Sequence, residues 1–321
     1  MMSEATAMPI DPGIKLLVIV STDPSDLFFA NQLFRRFRLA GIVLEHQRDT
    51  PDTRLRWQKA LSLLNRPGEL FERAQAWLSR LWHDRVDRRF YQELPVDFGV
   101  DGTRLDDAVD CPVLRIEGTG RLNRSETVDW IRERAPDLIV VCGAALLREP
   151  ILVLPRLGVL NLHGGLSQFY RGLFTTDWAI HNRQPEYVGA TVHFVSEGID
   201  DGGIVYQGRP DLGINDHPNR CYEKVVRLGV DMMSTAIITI AAGEPDAEQP
   251  LATKGRLYRQ RDFSSSVKRR LWRHWRRTMV EYDQQREIRD PAVNARLIHP
   301  YNAEAAPAWP GAIINTEEVS S

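Results

Sequence analysis

An asparagine and a histidine two residues apart, Asn161-Leu162-His163, open the densest polar stretch of this sequence. On a strand, positions i and i+2 project from one face, so the amide and the imidazole point together while Leu162 packs the other way. An amide N–H can donate to a developing oxyanion. An imidazole can do the same, or shuttle a proton near neutral pH. Gly164 and Gly165 follow directly, and a backbone without side chains lets a ligand come close. Arg171-Gly172 then stands before a helical segment, where a guanidinium can clamp an anion. Further on, Thr191, His193 and Val195 share one face of an alternating run. That run leads into Ser196-Glu197-Gly198-Ile199-Asp200-Asp201-Gly202-Gly203, a tight acidic turn. Asp200 can reach back from it to His163, hold the ring charged and accept a proton from an attacking nucleophile. Taken singly these are common structural features, and a turn Asp before Gly-Gly most of all. Their order and close spacing make them read as one site.

A parallel sheet would bring these groups together. Residues 14–20 form an uninterrupted apolar run between Gly13 and Ser21-Thr22-Asp23-Pro24, which reads as a strand buried on both faces. Helical spacing of Leu27, Phe28, Leu33, Phe34 and Phe37 follows before Gly41, and residues 42–44 complete the opening of a βαβ unit. The pattern predicts strands over 112–116, 137–142, 157–162, 188–195 and 203–207, the last two as a hairpin. It predicts helices over 123–135, with Asn123 as cap and Glu126 three residues on, and over 149–154, 176–182 and 219–242. Residues 254–263 read as irregular and 267–290 as one charged helix. The expected fold class is α/β, a Rossmann-like, mostly parallel sheet flanked by helices, with a helical insertion at about 52–91 and a helical C-terminal extension. The expected divisions are a flexible start (1–12), a catalytic domain (13–243), an extension with the charged helix (244–299) and a flexible tail (300–321).

Several chemistries are excluded. A dinucleotide-binding turn needs glycines for the backbone to approach a pyrophosphate. The first strand-to-helix turn instead reads Ser-Thr-Asp-Pro-Ser-Asp over 21–26, with two acids. There is no P-loop and no G-x-S-x-G elbow. The 321 residues carry 41 Lys plus Arg against 43 Asp plus Glu, a net charge of −2, which argues against a general polyanion binder. Three scattered cysteines, Cys111, Cys142 and Cys221, give no zinc-type pair and no disulfide framework, and lead us to expect a cytoplasmic protein without a metal site. No apolar run approaches the length of a membrane span.

The set Asn161, His163, Arg171-Gly172, Thr191-Val192-His193 and Asp200-Asp201-Gly202 resembles the folate-dependent formyltransferases. That family includes the glycinamide ribonucleotide, methionyl-tRNA and sugar N-formyltransferases. Residues 136–143 followed by 154–163 resemble the family's central strand, loop and active-site strand. The likeness runs from about 132 to 207, is architectural over 14–131 and is absent from about 264 onward. It implies Asn161, His163 and Asp200 as the catalytic trio and 10-formyltetrahydrofolate as the formyl donor. Backbone groups of Gly143, Ala144, Ala145, Leu146 and Leu147, and of Val195, Ser196, Glu197, Gly198 and Ile199, would hold the pterin. Gly164, Gly165, Arg171, Gly172 and His193 would face the substrate. The implied reaction is attack of an amine on the formyl carbon, with Asn161 and protonated His163 stabilising the oxyanion. Asp200 would keep His163 charged and take up the amine proton, through a water. The chain departs from the family pattern at Gln168, where a proline is usual, and in a loop over 143–161 one residue shorter than usual. Both lie near substrate and folate, so they bear on substrate identity more than on the reaction.

For the acceptor, a tRNA substrate would come with a C-terminal β-barrel, and the segment after 264 is too helical and too short for one. The basic run 268–277 with Trp272 and Trp275 reads as an amphipathic surface helix whose tryptophans pack on the core. The glycine-rich first loop of the purine-pathway enzymes is missing. A small-molecule amine is therefore expected, a nucleotide-linked amino sugar first. A 10-formyltetrahydrofolate hydrolase and a non-catalytic binding subunit are the alternatives. A homodimer through the C-terminal helix stays open.

Overall fold

The computed structural model describes residues 9–46, 94–106, 110–118, 120–196, 198–200, 202–243, 254–307 and 309. The expected helical insertion at 52–91 lies outside them. The chain opens with strand β1 (Leu16–Ser21), helix α1 (Pro24–Arg36) and strand β2 (Leu39–His46). Then come β3 (Val113–Glu117), α2 (Ser125–Arg134), β4 (Leu138–Cys142), α3 (Glu149–Leu152) and β5 (Val159–His163). The short strand β6 (Tyr170–Gly172) and helix α4 (Thr175–His181) lead to the hairpin β7 (Ala190–Phe194) and β8 (Ile204–Gly208). The long helix α5 (Pro218–Ala241), strand β9 (Arg256–Tyr258) and helices α6 (Ser265–Asp283) and α7 (Arg286–Asn294) complete the order.

Seven strands form one sheet in the order β3-β2-β1-β4-β5-β7-β8. The first five are parallel and the hairpin closes the edge antiparallel. This is the Rossmann-like architecture expected from the unbroken apolar runs. Alternation within a strand divides the core. Leu16, Val18 and Val20 pack with α1 and α5 on one face, and Leu17 and Ile19 pack with α2 on the other. The strand order reverses direction between β1 and β4. Open α/β sheets place their ligand crevice outside the carboxyl ends of the strands at such a point.

Several elements differ from expectation. Gly41 lies inside β2 and does not precede it, because a Cβ there would meet the Trp130 ring of α2 at 2.9 Å. Asn123 does not cap α2, whose N-cap is Arg124. Residues 256–258 are a strand paired with β6, followed by a 3-10 turn over Gln260–Asp262. The charged helix is two helices, broken at Gln284 and Gln285. Leu271, Trp272 and Trp275 of α6 are buried, as the amphipathic reading expects. Both ends of the described chain are tied down. Ile10 exchanges backbone hydrogen bonds with Arg36 and Arg38. Tyr301 N–H donates to Gln207 O, so the start of the expected tail runs beside β8. Trp309 is buried against Phe37, with the Arg36 guanidinium 5.3 Å from its ring centre.

Burying an indole contributes several kcal/mol, so Trp309→Ala should lower stability by about 3 kcal/mol. Urea denaturation checks this. A fall in midpoint without a change in slope is expected, and an unchanged midpoint would restore the flexible tail.

Candidate active site

Strands β5 and β7 are antiparallel neighbours, which sets Asn161 directly opposite His193 and His163 opposite Thr191. Asn161 Nδ2 lies 3.1 Å from His193 Nε2. His193 Nδ1 lies 2.8 Å from Phe194 O. A carbonyl only accepts, so Nδ1 carries a proton, and in that tautomer Nε2 accepts from the Asn161 amide. This fixes the amide with its second N–H free to donate elsewhere. By the same argument His163 Nε2 donates to Tyr170 O, 3.0 Å away. Its Nδ1 then faces Asp200 Oδ2 at 3.5 Å.

Asp200 stands between the two rings, with Oδ1 3.6 Å from His193 Nε2. Strand β6 holds it there with two adjacent residues. Gly172 N–H donates to Asp200 Oδ2 at 2.8 Å, and the Arg171 guanidinium grips Ile199 O, its Nε at 2.8 Å. Arg171 is buried and turns its Nε and one terminal nitrogen toward this carbonyl. Asp200 adopts φ 49°, the left-handed region, which stores local strain of order 1 kcal/mol at a site that geometry over-determines. Gly202 is needed just beyond, since a Cβ would come within 1.8 Å of Phe194 O. Burial alone would raise the Asp200 pKa. The charge of His163 and the Gly172 N–H outweigh it and hold the carboxyl well below its usual range.

The loop at 164–172 is shaped from within. Thr191 Oγ1 donates to Gly165 O and Thr175 Oγ1 to Gly164 O. A Cβ on Gly165 would lie 2.8 Å from His163 Nε2, so the glycine serves the close approach of its own histidine. After β4, Gly143 takes φ 66°, Ala145 N–H donates to Glu45 Oε2 and Leu147 is buried. Asn123, expected as a helix cap, clasps this loop by donating to Leu146 O and accepting from Arg148 N. Val195 N–H bonds Val159 O and so extends the β5 edge, Ser196 and Gly198 continue the turn, and Glu197 lies outside the described residues. Among the described residues no group of three His, Cys, Asp or Glu is placed to hold a metal, and no helix is long and apolar enough to cross a membrane.

Sequence reasoning missed a second polar cluster at the point where strand order reverses. Asp26 accepts from Ser21 Oγ at 2.5 Å and Ser25 Oγ at 3.1 Å, and Cys142 Sγ lies 3.5 Å away. Tyr222 OH extends the chain to Ser25. The signal was the hydroxyls at 21 and 25 flanking Asp26, which turn that acid inward and away from solvent. Burial, aided by Asp23, pushes the Asp26 carboxyl up to about 6 against the hydroxyl hydrogen bonds.

The parallel sheet and the Asn161–His163–His193–Asp200 cluster at its edge define a Rossmann-like α/β protein with a buried cluster of titratable side chains. Residues 110–237 match the formyl transferase family model. The methionyl-tRNA formyltransferase of Synechocystis sp. is 32% identical over 134 residues, 40% of each chain. That of Methylacidiphilum infernorum is 32% identical over 124 residues, 38% of each. The chain thus aligns with about two fifths of the length of the curated relatives it matches. Among solved structures, a sugar N-formyltransferase from Shewanella sp. superposes over 78% of both chains at 18% identity and a TM-score of 0.46. Glycinamide ribonucleotide transformylase 1 from Symbiobacterium toebii does so over 74% of this chain and 93% of its own, at 18% identity and 0.46.

The Asp26 carboxyl yields a pH prediction. Its folded pKa is raised from 3.8 to about 6, so its contribution to stability is present below about pH 4 and lost as pH rises through 6. The loss is about 3 kcal/mol. Asp26→Asn should therefore raise the melting temperature at pH 8, leave it nearly unchanged at pH 4, and flatten the profile between. Parallel profiles for the two proteins would show that Asp26 ionises freely.

Proposed function

We propose that this chain transfers a formyl group from 10-formyltetrahydrofolate to an amine of a small molecule, a nucleotide-linked amino sugar being the first acceptor to try. The reading rests on one observation above all. A buried carboxylate lies between two imidazoles with a fixed amide beside it, at the carboxyl edge of a parallel sheet, in the stretch that matches the formyl transferase family model. We place the reaction in the cytoplasm.

The residue set suits the donor. The two loops assigned to the pterin each present an exposed aliphatic side chain, Leu146 and Ile199, for a flat ring to cover. Main-chain groups of Gly143, Ala144, Ala145 and Leu147, and of Val195, Ser196 and Gly198, would supply polar partners. When bound, 10-formyltetrahydrofolate supplies the carbon that the amine attacks. The chain's own part is electrostatic and proton-handling. The free Asn161 N–H donates to the oxygen that gains negative charge. His163 is oriented by Tyr170 O and Asp200, so its positive charge acts at short range with the ring already fixed. Asp200 Oδ1 takes the proton that the amine loses, directly or through one water. His193 locks the Asn161 amide.

The test is absorbance-detected release of tetrahydrofolate, with and without a panel of amines. Asn161→Ala should lower kcat by 10²–10³ at about unchanged KM, the worth of one oxyanion donor. His163→Ala should remove amine-dependent release. Release without any amine would replace the transferase with the hydrolase, and release untouched by His163→Ala would remove the site.

A further inference from the structure

A cleft of about 410 Å³ lies outside the Asn161–Asp200 cluster, where β6 meets β9. That volume suits a small molecule. Three cations line it, Lys254, Arg256 and Arg296, and no Asp or Glu is among its described lining residues. Four aromatic rings stand with them. Phe169 and Tyr187 lie 4.5 Å apart between centres, and Tyr170 stacks on Tyr258 at 5.6 Å. The Arg296 guanidinium sits 4.4 Å from the Phe169 ring centre and Arg256 5.0 Å from Tyr258. Asn182 Nδ2 braces both tyrosine hydroxyls, at 3.1 and 3.2 Å.

We infer that this cleft binds a nucleoside phosphate. Arginines laid over rings keep N–H edges for phosphate oxygens, and the fork geometry of guanidinium matches them. Tyr170 and Tyr258 are buried and stack on each other, and the half-buried Phe169 and Tyr187 offer an edge against which a base can pack, a contact tolerant of base identity. Anion and flat ring together describe one ligand class, and neither feature alone would require the other. The cleft is also linked to the polar cluster. Tyr170 lines it and gives its carbonyl to His163, two residues before the Gly172 N–H that holds Asp200. Strand β9, which carries Arg256, lies beyond the 110–237 family match, while Phe169, Tyr170 and Tyr187 lie within it.

The inference stands apart from formyl transfer and is tested by binding. Calorimetric titration of the full chain uses UMP, AMP, uridine and inorganic phosphate. A nucleotide should bind at least about tenfold more tightly than uridine or phosphate alone. Arg296→Ala and Arg256→Ala, both exposed side chains, should each weaken it about tenfold with an unchanged unfolding midpoint. His163→Ala, which removes turnover, should leave binding intact. No binding of UMP or AMP at about 1 mM overturns the inference. So does nucleotide binding that both arginine variants leave unchanged. Equal affinity for phosphate and UMP overturns its aromatic half. Competition between UDP and an intact nucleotide-linked amine would assign the cleft to the acceptor's own nucleotide, and simultaneous binding would assign it to a free one.

Discussion

A carboxylate kept ionised in a nearly dry site constrains everything around it. Removing Asp200 from water costs several kcal/mol, and only close positive or donor groups offset that. The structure supplies the His163 imidazole, one backbone N–H and a guanidinium that pins the preceding carbonyl, with the His193 ring packed alongside. They come from three elements. His163 ends β5, His193 lies in β7, and Arg171 and Gly172 form β6. The antiparallel hairpin at the sheet edge follows from this need, because only an antiparallel β7 sets His193 opposite Asn161 while its return turn delivers Asp200.

The same logic explains why β9 exists. A three-residue strand such as β6 is marginal without a partner. Pairing with residues 256–258 holds Tyr170 and Gly172, hence the His163 acceptor and the Asp200 donor. Gly172 at φ 85° permits the close approach, since a Cβ would lie 2.1 Å from Tyr258 O. The C-terminal extension therefore reaches the site through main-chain hydrogen bonds, whatever its side chains recognise.

What was legible in the sequence divides along physical lines. Parallel strands buried on both faces leave unbroken apolar runs, so β1, β4 and β5 could be read directly. The β7–β8 hairpin could be read from alternation around an acidic Gly-rich turn. Strand β9 left no such trace, because Arg-Leu-Tyr is too short to show a period and its pairing is wholly non-local. The break between α6 and α7 falls in a charged stretch where both sides are amphipathic, so nothing in composition marks it. Asn123 matched a cap by position, but its side chain does better on the loop after β4. Of the site, Asn161, His163 and Asp200 were proposed from residue type and order. The lock of Asn161 by His193 needed the cross-strand register, and the inward turn of Asp26 needed the Ser21 and Ser25 hydroxyls to be seen as partners.

Asp26 also refines the argument against a dinucleotide enzyme. Two acids in the first turn were expected to repel a pyrophosphate, yet one of them is buried, with a pKa near 6. The exclusion survives on steric grounds. The space where a glycine-rich turn would admit phosphate is filled by Ser21, Asp26 and Cys142, and Gly143 closes over them with room for no Cβ, 1.8 Å from Asp26 Oδ2. The reversal of strand order is thus occupied by the chain's own hydrogen-bonded side chains. The chemistry we propose lies one strand along, at the carboxyl end of β5, where Asn161 and His163 stand. The Asp26 cluster also ties β1 to β4 beneath the loop that leads toward that site, so the two polar clusters divide the work: one fixes the floor and the other holds the charge.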